Sequence, residues 1–268
     1  MFFYLSGMKT TLLFLSVFLS ANLFGQNVYI PDANFKAYLV GSQWINTNGD
    51  TEIQVSEASS FNGIIQVNSS NISNLTGIEA FTSLTYLYCE DNELTSLDVS
   101  QNTALNYLWC FNNQLTSLDV SNNTDLIVLR CNSLQLTSLD VSQNAALQIL
   151  NCSFNQLACL NVKNGNNVNM MGIVATNNPN LTCIEVDNYI WATANWFLGI
   201  DPQTSFSEDC NYPVDCGQST AGLNNLSYSS KNLIQILDLM GRETTFKPNT
   251  PLIYVYDDGS TEKLYRME

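Results

Sequence analysis

From Leu84 to Asn167 apolar residues recur with a fixed spacing of 21 residues. Four near-copies follow one another: LTYLYCEDNELTSLDVSQNTA from Leu84, LNYLWCFNNQLTSLDVSNNTD from Leu105, LIVLRCNSLQLTSLDVSQNAA from Leu126 and LQILNCSFNQLACLNVKNGNN from Leu147. In the first copy Leu87 and Cys89 alternate with Tyr86, Tyr88 and Glu90, the period of a strand with one face in a core. Leu94, Leu97 and Val99 repeat the alternation on an opposite wall. Each unit therefore predicts short parallel strands on both walls of a flattened coil, with almost no helix. One coil cannot bury its apolar side alone; coils stacked about 4.8 Å apart make a continuous core. Asn92, Asn113 and Asn155 stand where the chain turns and can satisfy backbone groups of their own and neighbouring coils. Leu134 interrupts that column.

The pattern LxxLxCxxNxLxxLDVSxN resembles the leucine-rich repeats, with Cys in the last apolar strand position. The resemblance implies a mostly β fold: a repeat solenoid with its C-terminal cap over residues 61–200, behind a short helical N-terminal cap at 26–60. Ile64–Ser83 is an irregular first repeat whose inward set is Ile65, Val67, Ile72, Leu75 and Ile78. Its ending, LTGIEAFTSL, resembles internalin repeats. After Asn167 the LTCIEV half persists at a 24-residue step. Tyr189, Ile190, Trp191, Trp196 and Phe197 are expected to close the far end.

Before the repeats, IPDANFKAYLVG predicts a helix with Asp32 as N-cap and Phe35 and Leu39 on one face. The following NTNGDTEIQVSE partly matches a calcium loop. Asn46, Asn48 and Asp50 take the first three ligand positions, Glu52 offers its backbone carbonyl, and Glu57 the bidentate carboxylate. Asn46 replaces the usual Asp and Thr51 the usual Gly, which predicts weak calcium binding. The competing expectation is a metal-free lid over the first coil, as in internalin-like caps, which resemble EF-hands without the metal.

The ends differ in kind. Met1–Gly25 reads as a secretory signal, with Lys9, the run TLLFLSVFLSANLF and a small residue at Gly25, and with Met8 as the preferred start. That run is short for a membrane span, so none is expected. Residues 201–219 are polar and turn-rich, which predicts a linker. From Thr220 to Glu268, NLIQILDLMGRE and PLIYVYDDGSTEKLYRM alternate at period two, with a hairpin turn at Asp257–Ser260. The DLMGRE block, the YVYDDG block and the terminal Glu-Lys strand resemble the C-terminal sorting domain of the type IX secretion system of the Bacteroidetes. That resemblance implies transport across the outer membrane by the secretion machinery. Cleavage follows, with release or attachment to surface lipopolysaccharide. The expected location is secreted or at the outer-membrane surface.

Charge narrows the partners. Residues 26–220 hold 3 basic residues (Lys36, Arg130, Lys163) against 18 acidic ones, a net −15. Such a body repels nucleic acid and anionic membrane surfaces. The chain has no His, which removes the commonest general base and metal ligand. No motif singles out a catalytic carboxylate pair, and no loop interrupts the regular repeats. A monomer that is not an enzyme, with no cofactor beyond the possible calcium, is expected.

Cys89, Cys110, Cys131 and Cys152 form an inward column that packs as small apolar filler; a linear stack does not converge tetrahedrally as zinc requires. Cys159 and Cys183 occupy equivalent places one coil apart, which predicts a Cys159–Cys183 disulfide and leaves Cys210–Cys216. Cys183–Cys210 is the main rival pairing. Asp98, Asp119 and Asp140 stack on the second wall, as a solvated face or, alternatively, a cation site. The outward strand positions place Tyr86, Tyr88, Tyr107, Trp109 and Phe111 together beside Arg130. Exposed aromatic patches mark interaction sites. The expected function is non-enzymatic recognition of a protein or glycan through this face. The alternatives are a passive adhesin spacer and a glycan hydrolase using two carboxylates.

Overall fold

The computed structural model describes residues 26–212 and, nearer the C-terminus, 233–237, 242–244, 251–256 and 261–265. The chain divides into two units between Gln218 and Ser219. The signal stretch, Cys216, the turn at Asp257–Ser260 and most of the DLMGRE block lie outside the described residues.

The first unit opens with two short helices, α1 (Ala33–Gly41) and α2 (Val55–Ser60). Asp32 caps α1: its Oδ1 accepts from Asn34 N and Phe35 N, and its Oδ2 accepts from Ser73 N at 2.9 Å, tying the helix to the first repeat. Phe35 and Leu39 are fully buried against the coil below.

Six strands then build one wall: β1 (Ile64–Gln66), β2 (Tyr86–Tyr88), β3 (Tyr107–Trp109), β4 (Val128–Arg130), β6 (Ile149–Asn151) and β8 (Gly172–Val174). All neighbours are parallel and in register, with Leu87, Leu108, Leu129 and Leu150 opposite one another. These leucines and the cysteines two residues on are fully buried, as period-two alternation requires.

The second wall is strand only in its later half. β5 (Ser138–Asp140), β7 (Cys159–Asn161), β9 (Cys183–Glu185) and β10 (Ser205–Ser207) form a parallel four-stranded sheet. The earlier copies of LTSLDV bury Leu94 and Val99 without a strand ladder. There the first repeat turns through a 3-10 segment, Ile78–Ala80, and offers no extended neighbour. A groove of about 500 Å³ opens on that wall, lined by Glu79, Ser96, Asp98, Ser117 and Asp119 among others. β10 lies in the stretch expected to be linker. Phe206 at its centre is buried, so the solenoid continues at least to Ser207. Helix α3 (Tyr189–Trp196) closes the far end through Ala192 and Trp196; Tyr189, Ile190 and Phe197 remain exposed.

Buried asparagines hold the turns. Asn113 Oδ1 accepts from Leu94 N, and its Nδ2 donates to Cys89 O and Cys110 O. Asn92, Asn155 and Asn178 act likewise. A second column, Asn102, Asn123 and Asn144, lies fully buried on the other side and donates to carbonyls of the preceding coil. Its period was plain in the sequence, at the Asn of each DVSxN, but its burial was not.

The second unit contains β11 (Leu233–Leu237), β12 (Pro251–Tyr256) and β13 (Thr261–Tyr265), antiparallel in that order.

Candidate functional site

In-register parallel strands place equivalent side chains one strand spacing apart, about 4.8 Å, close to the distance at which rings stack. The rings use it. Tyr86 and Tyr107 stack with centroids 4.7 Å apart and planes 18° from parallel. Tyr88 lies on Trp109 at 4.6 Å. The Arg130 guanidinium sits 4.5 Å above the other side of the Trp109 ring. Phe111 joins at 6.5 Å from Trp109. All six predicted residues come together on one wall, half-buried by each other and outside the apolar core. Tyr86 and Tyr107 give one face to each other, the Trp109 ring carries Arg130, and the remaining ring contacts are tilted or edge-on.

Glu90 departs from the expected outward position. It is 8% exposed, and its Oε2 and Trp109 Nε1 are buried without a hydrogen-bond partner. Burial pushes the Glu90 carboxyl up from its ordinary value, and nearby Asp91 adds to this, against the opposing pull of its own backbone N–H and Arg130.

The cysteine column is closed to chemistry. Cys89, Cys110, Cys131 and Cys152 are free and fully buried. Burial pushes the Cys110 and Cys152 thiols up to about 12, so they stay protonated and pack as small apolar groups.

The disulfide expectation needs correction. Cys183 pairs with Cys210, with Cα atoms 5.8 Å apart, which displaces both Cys159–Cys183 and Cys210–Cys216. Cys159 is itself disulfide-bonded, but not to Cys183. Cys159 and Cys183 open neighbouring strands, β7 and β9, and Cβ directions on neighbouring parallel strands suit a disulfide poorly. The 24-residue step also leaves β7 and β9 joined in register only at Asn161–Glu185. Tyr212 fills that gap: its hydroxyl accepts from Leu160 N and Glu185 N and donates to Leu160 O at 2.6 Å. Burial pushes the phenol up to about 12. Nothing local to Tyr212 in the sequence announced this role.

On the second wall Asp98, Asp119 and Asp140 each accept the backbone N–H two residues on, from Ser100, Ser121 and Ser142. Each carboxylate closes its own turn. Among the described residues no cluster of three or more Cys, Asp or Glu side chains is placed to hold a metal ion.

The loop at Asn46–Glu57 is satisfied internally. Glu57 Oε1 accepts from Thr47 N, Thr47 Oγ1 and Asn48 N, and its Oε2 from Gln54 N. Asn46 directs its Nδ2, a donor, to Val40 O and Asp50 O. Asp50 accepts from Glu52 N, Asn48 Nδ2 and Gln54 Nε2. The Glu52 carboxylate is taken by Lys36 at 2.7 Å. Calcium takes about 6–8 oxygen ligands; a loop whose Asp50 and Glu57 carboxylates are engaged by its own N–H groups, and whose Asn46 turns its amide N–H to Val40 O and Asp50 O, does not fit it.

Comparison with known proteins agrees with the repeat reading. Residues 82–124 match the family of leucine-rich repeats (2 copies). Internalin J of Listeria monocytogenes serotype 4b (strain F2365) is 36% identical over 78 residues, 29% of this chain and 8% of that protein. Among solved structures, the functional domain of InlJ from Listeria monocytogenes, described as including a cysteine ladder, is 34% identical. The match covers 60% of this chain and 38% of that one, with a TM-score of 0.48. Internalin C2 from strain 4b F2365 is 14% identical over 68% of this chain and 86% of that one, with a TM-score of 0.49. The chain thus spans under a tenth of the curated relative it matches. Among the described residues no helix is long and apolar enough to cross a membrane. The chain carries leucine-rich repeats in a solenoid fold, and 78 of its residues are similar in sequence to internalin J.

Proposed function

We propose that this is a non-enzymatic recognition protein that binds a protein partner through the aromatic strand wall. The observation that carries this reading is the contact row of Tyr86–Tyr107 and Tyr88–Trp109–Arg130 outside the core. Trp, Tyr and Arg dominate binding hot spots, and rings already fixed by stacking lose little freedom on binding. Sugar recognition by stacking needs a free ring face. Tyr86 and Tyr107 already share a face and Trp109 carries Arg130, which leaves fewer faces for a sugar and favours a protein over a glycan. A display library screened for binders tests this: clones enriched on the native protein should not enrich on the Tyr107→Ala/Trp109→Ala variant. Equal enrichment on both would remove the wall as the site.

The cap serves as a hydrogen-bonded lid rather than a calcium site. Burial opposes the charge of Glu57, but the hydrogen bonds from Gln54, Thr47 and Asn48 outweigh it and hold the carboxyl below its ordinary 4.5. Its stabilisation is therefore present above pH 4.5 and lost as the pH falls through the lower folded value. Melting temperature should drop on acidification from pH 5 to 3, less steeply in Glu57→Gln, and calcium at neutral pH should leave it unchanged. A calcium-dependent rise of several degrees would reinstate the metal.

The apolar N-terminal stretch and the period-two tail support export to the cell surface by the sorting route. Deleting residues 220–268 should leave the protein in the periplasm. Normal surface display of that truncation would contradict this.

A further inference from the structure

The strand wall lacks the exposed acids of the body. The chain is strongly acidic, yet the outward columns of this wall contain no exposed carboxylate. They read Ile64, Gln66; Tyr86, Tyr88, Glu90; Tyr107, Trp109, Phe111; Val128, Arg130, Asn132; Ile149, Asn151, Ser153. The one acid, Glu90, is more than nine-tenths buried, and its Oε2 receives no hydrogen bond. Arg130 is the only cation of these columns. Among the described residues its guanidinium meets no carboxylate within ion-pair distance; the described ion pairs are Lys36–Glu52 and Lys163–Glu185. The guanidinium is held by Trp109, 4.5 Å below it. Flanking Asn132 and Asn151 are neutral.

We propose that Arg130 is the receptor for a carboxylate side chain, Asp or Glu, presented by the protein partner. The proposal rests on the recognition role of this wall and names what the wall reads. A planar guanidinium offers a fork of N–H donors that matches a carboxylate bidentately. Contact with the Trp109 ring restrains the guanidinium before the partner arrives, so less order is lost on pairing. The acidic body repels acidic surfaces at long range, so the fitting partner is a neutral or basic surface with one carboxylate at its contact centre. Lysine would keep the charge but lose both fork and stack.

The test uses the isolated protein and small probes, so it needs no identified partner. The protein, labelled with ¹⁵N in Arg and Trp, is titrated at pH 7 and constant ionic strength with N-acetyl-aspartic acid amide. N-acetyl-asparagine amide and sodium chloride serve as controls. The Arg130 Nε–H resonance, assigned by its loss in Arg130→Gln, should shift along a saturating curve with the aspartate probe alone. The Trp109 indole resonance should shift with it in the native protein and stay still in Arg130→Lys, checked for folding by circular dichroism. An equal response to both blocked amino acids, or one reproduced by sodium chloride, would overturn the proposal. So would a flat titration. If the titration is flat while the Tyr107→Ala/Trp109→Ala variant still loses its binders, the carboxylate falls and the recognition wall stands.

Discussion

Replacing Cys210 by serine is expected to lower the stability of the solenoid's C-terminal end by ~3–4 kcal/mol. The Cys183–Cys210 bond spans 27 residues that include α3 and β10. Loop-closure entropy of that length, removed from the unfolded chain, sets the magnitude. The native structure depends on the bond for position as well. β10 pairs only with β9, through Ser205–Cys183, Phe206–Ile184 and Ser207–Glu185, and it is the last strand of its sheet. Each coil of a solenoid leans only on its neighbours, so the loss appears first as fraying of α3 and β10, while the aromatic wall stays folded. Urea unfolding without reductant measures it. The variant should show an early transition reported by Trp191 and Trp196, which pack 5.1 Å apart in α3. A midpoint matching that of the native protein would mean that the remaining contacts, Tyr212 and the apolar cap among them, hold the end without this bond.

The first wall was legible because two periods coincide there. Alternation assigns Leu87 and Cys89 inward, and the 21-residue repeat puts equivalent residues on neighbouring strands. The aromatic cluster followed from the same arithmetic. The orientation of the rings did not: strand spacing near the stacking distance brings Tyr86 and Tyr107 face to face, while the other pairs tilt. Glu90 was misplaced because alternation sets the direction of the Cβ, not the path of a long flexible side chain. The second wall misled, since identical LTSLDV copies form a ladder only from Ser138 on, where an extended neighbour exists. The disulfide was mispaired because adjacency of Cys159 and Cys183 in the repeat is not adjacency of their sulfurs. Tyr212 reaches back 52 residues to Leu160, a contact that no periodicity encodes.

The double substitution Tyr107→Ala/Trp109→Ala carries the second large effect, a loss of partner affinity of about 100-fold or more. It removes two rings: Tyr107 against Tyr86, and Trp109, which lies both under Arg130 and against Tyr88. Leu108 and Cys110, which hold the same coil in the core, are untouched, so the fold should survive with a modest drop in melting temperature. The matched control is Asp98→Ala/Asp119→Ala on the second wall, where each carboxylate closes only its own exposed turn. The decisive measurement is the dissociation constant of one partner for the native protein and both variants, by calorimetry at a fixed salt concentration. A loss confined to the aromatic variant is predicted. Undiminished affinity in that variant, or an equal loss in the control, would contradict the assignment of recognition to this wall.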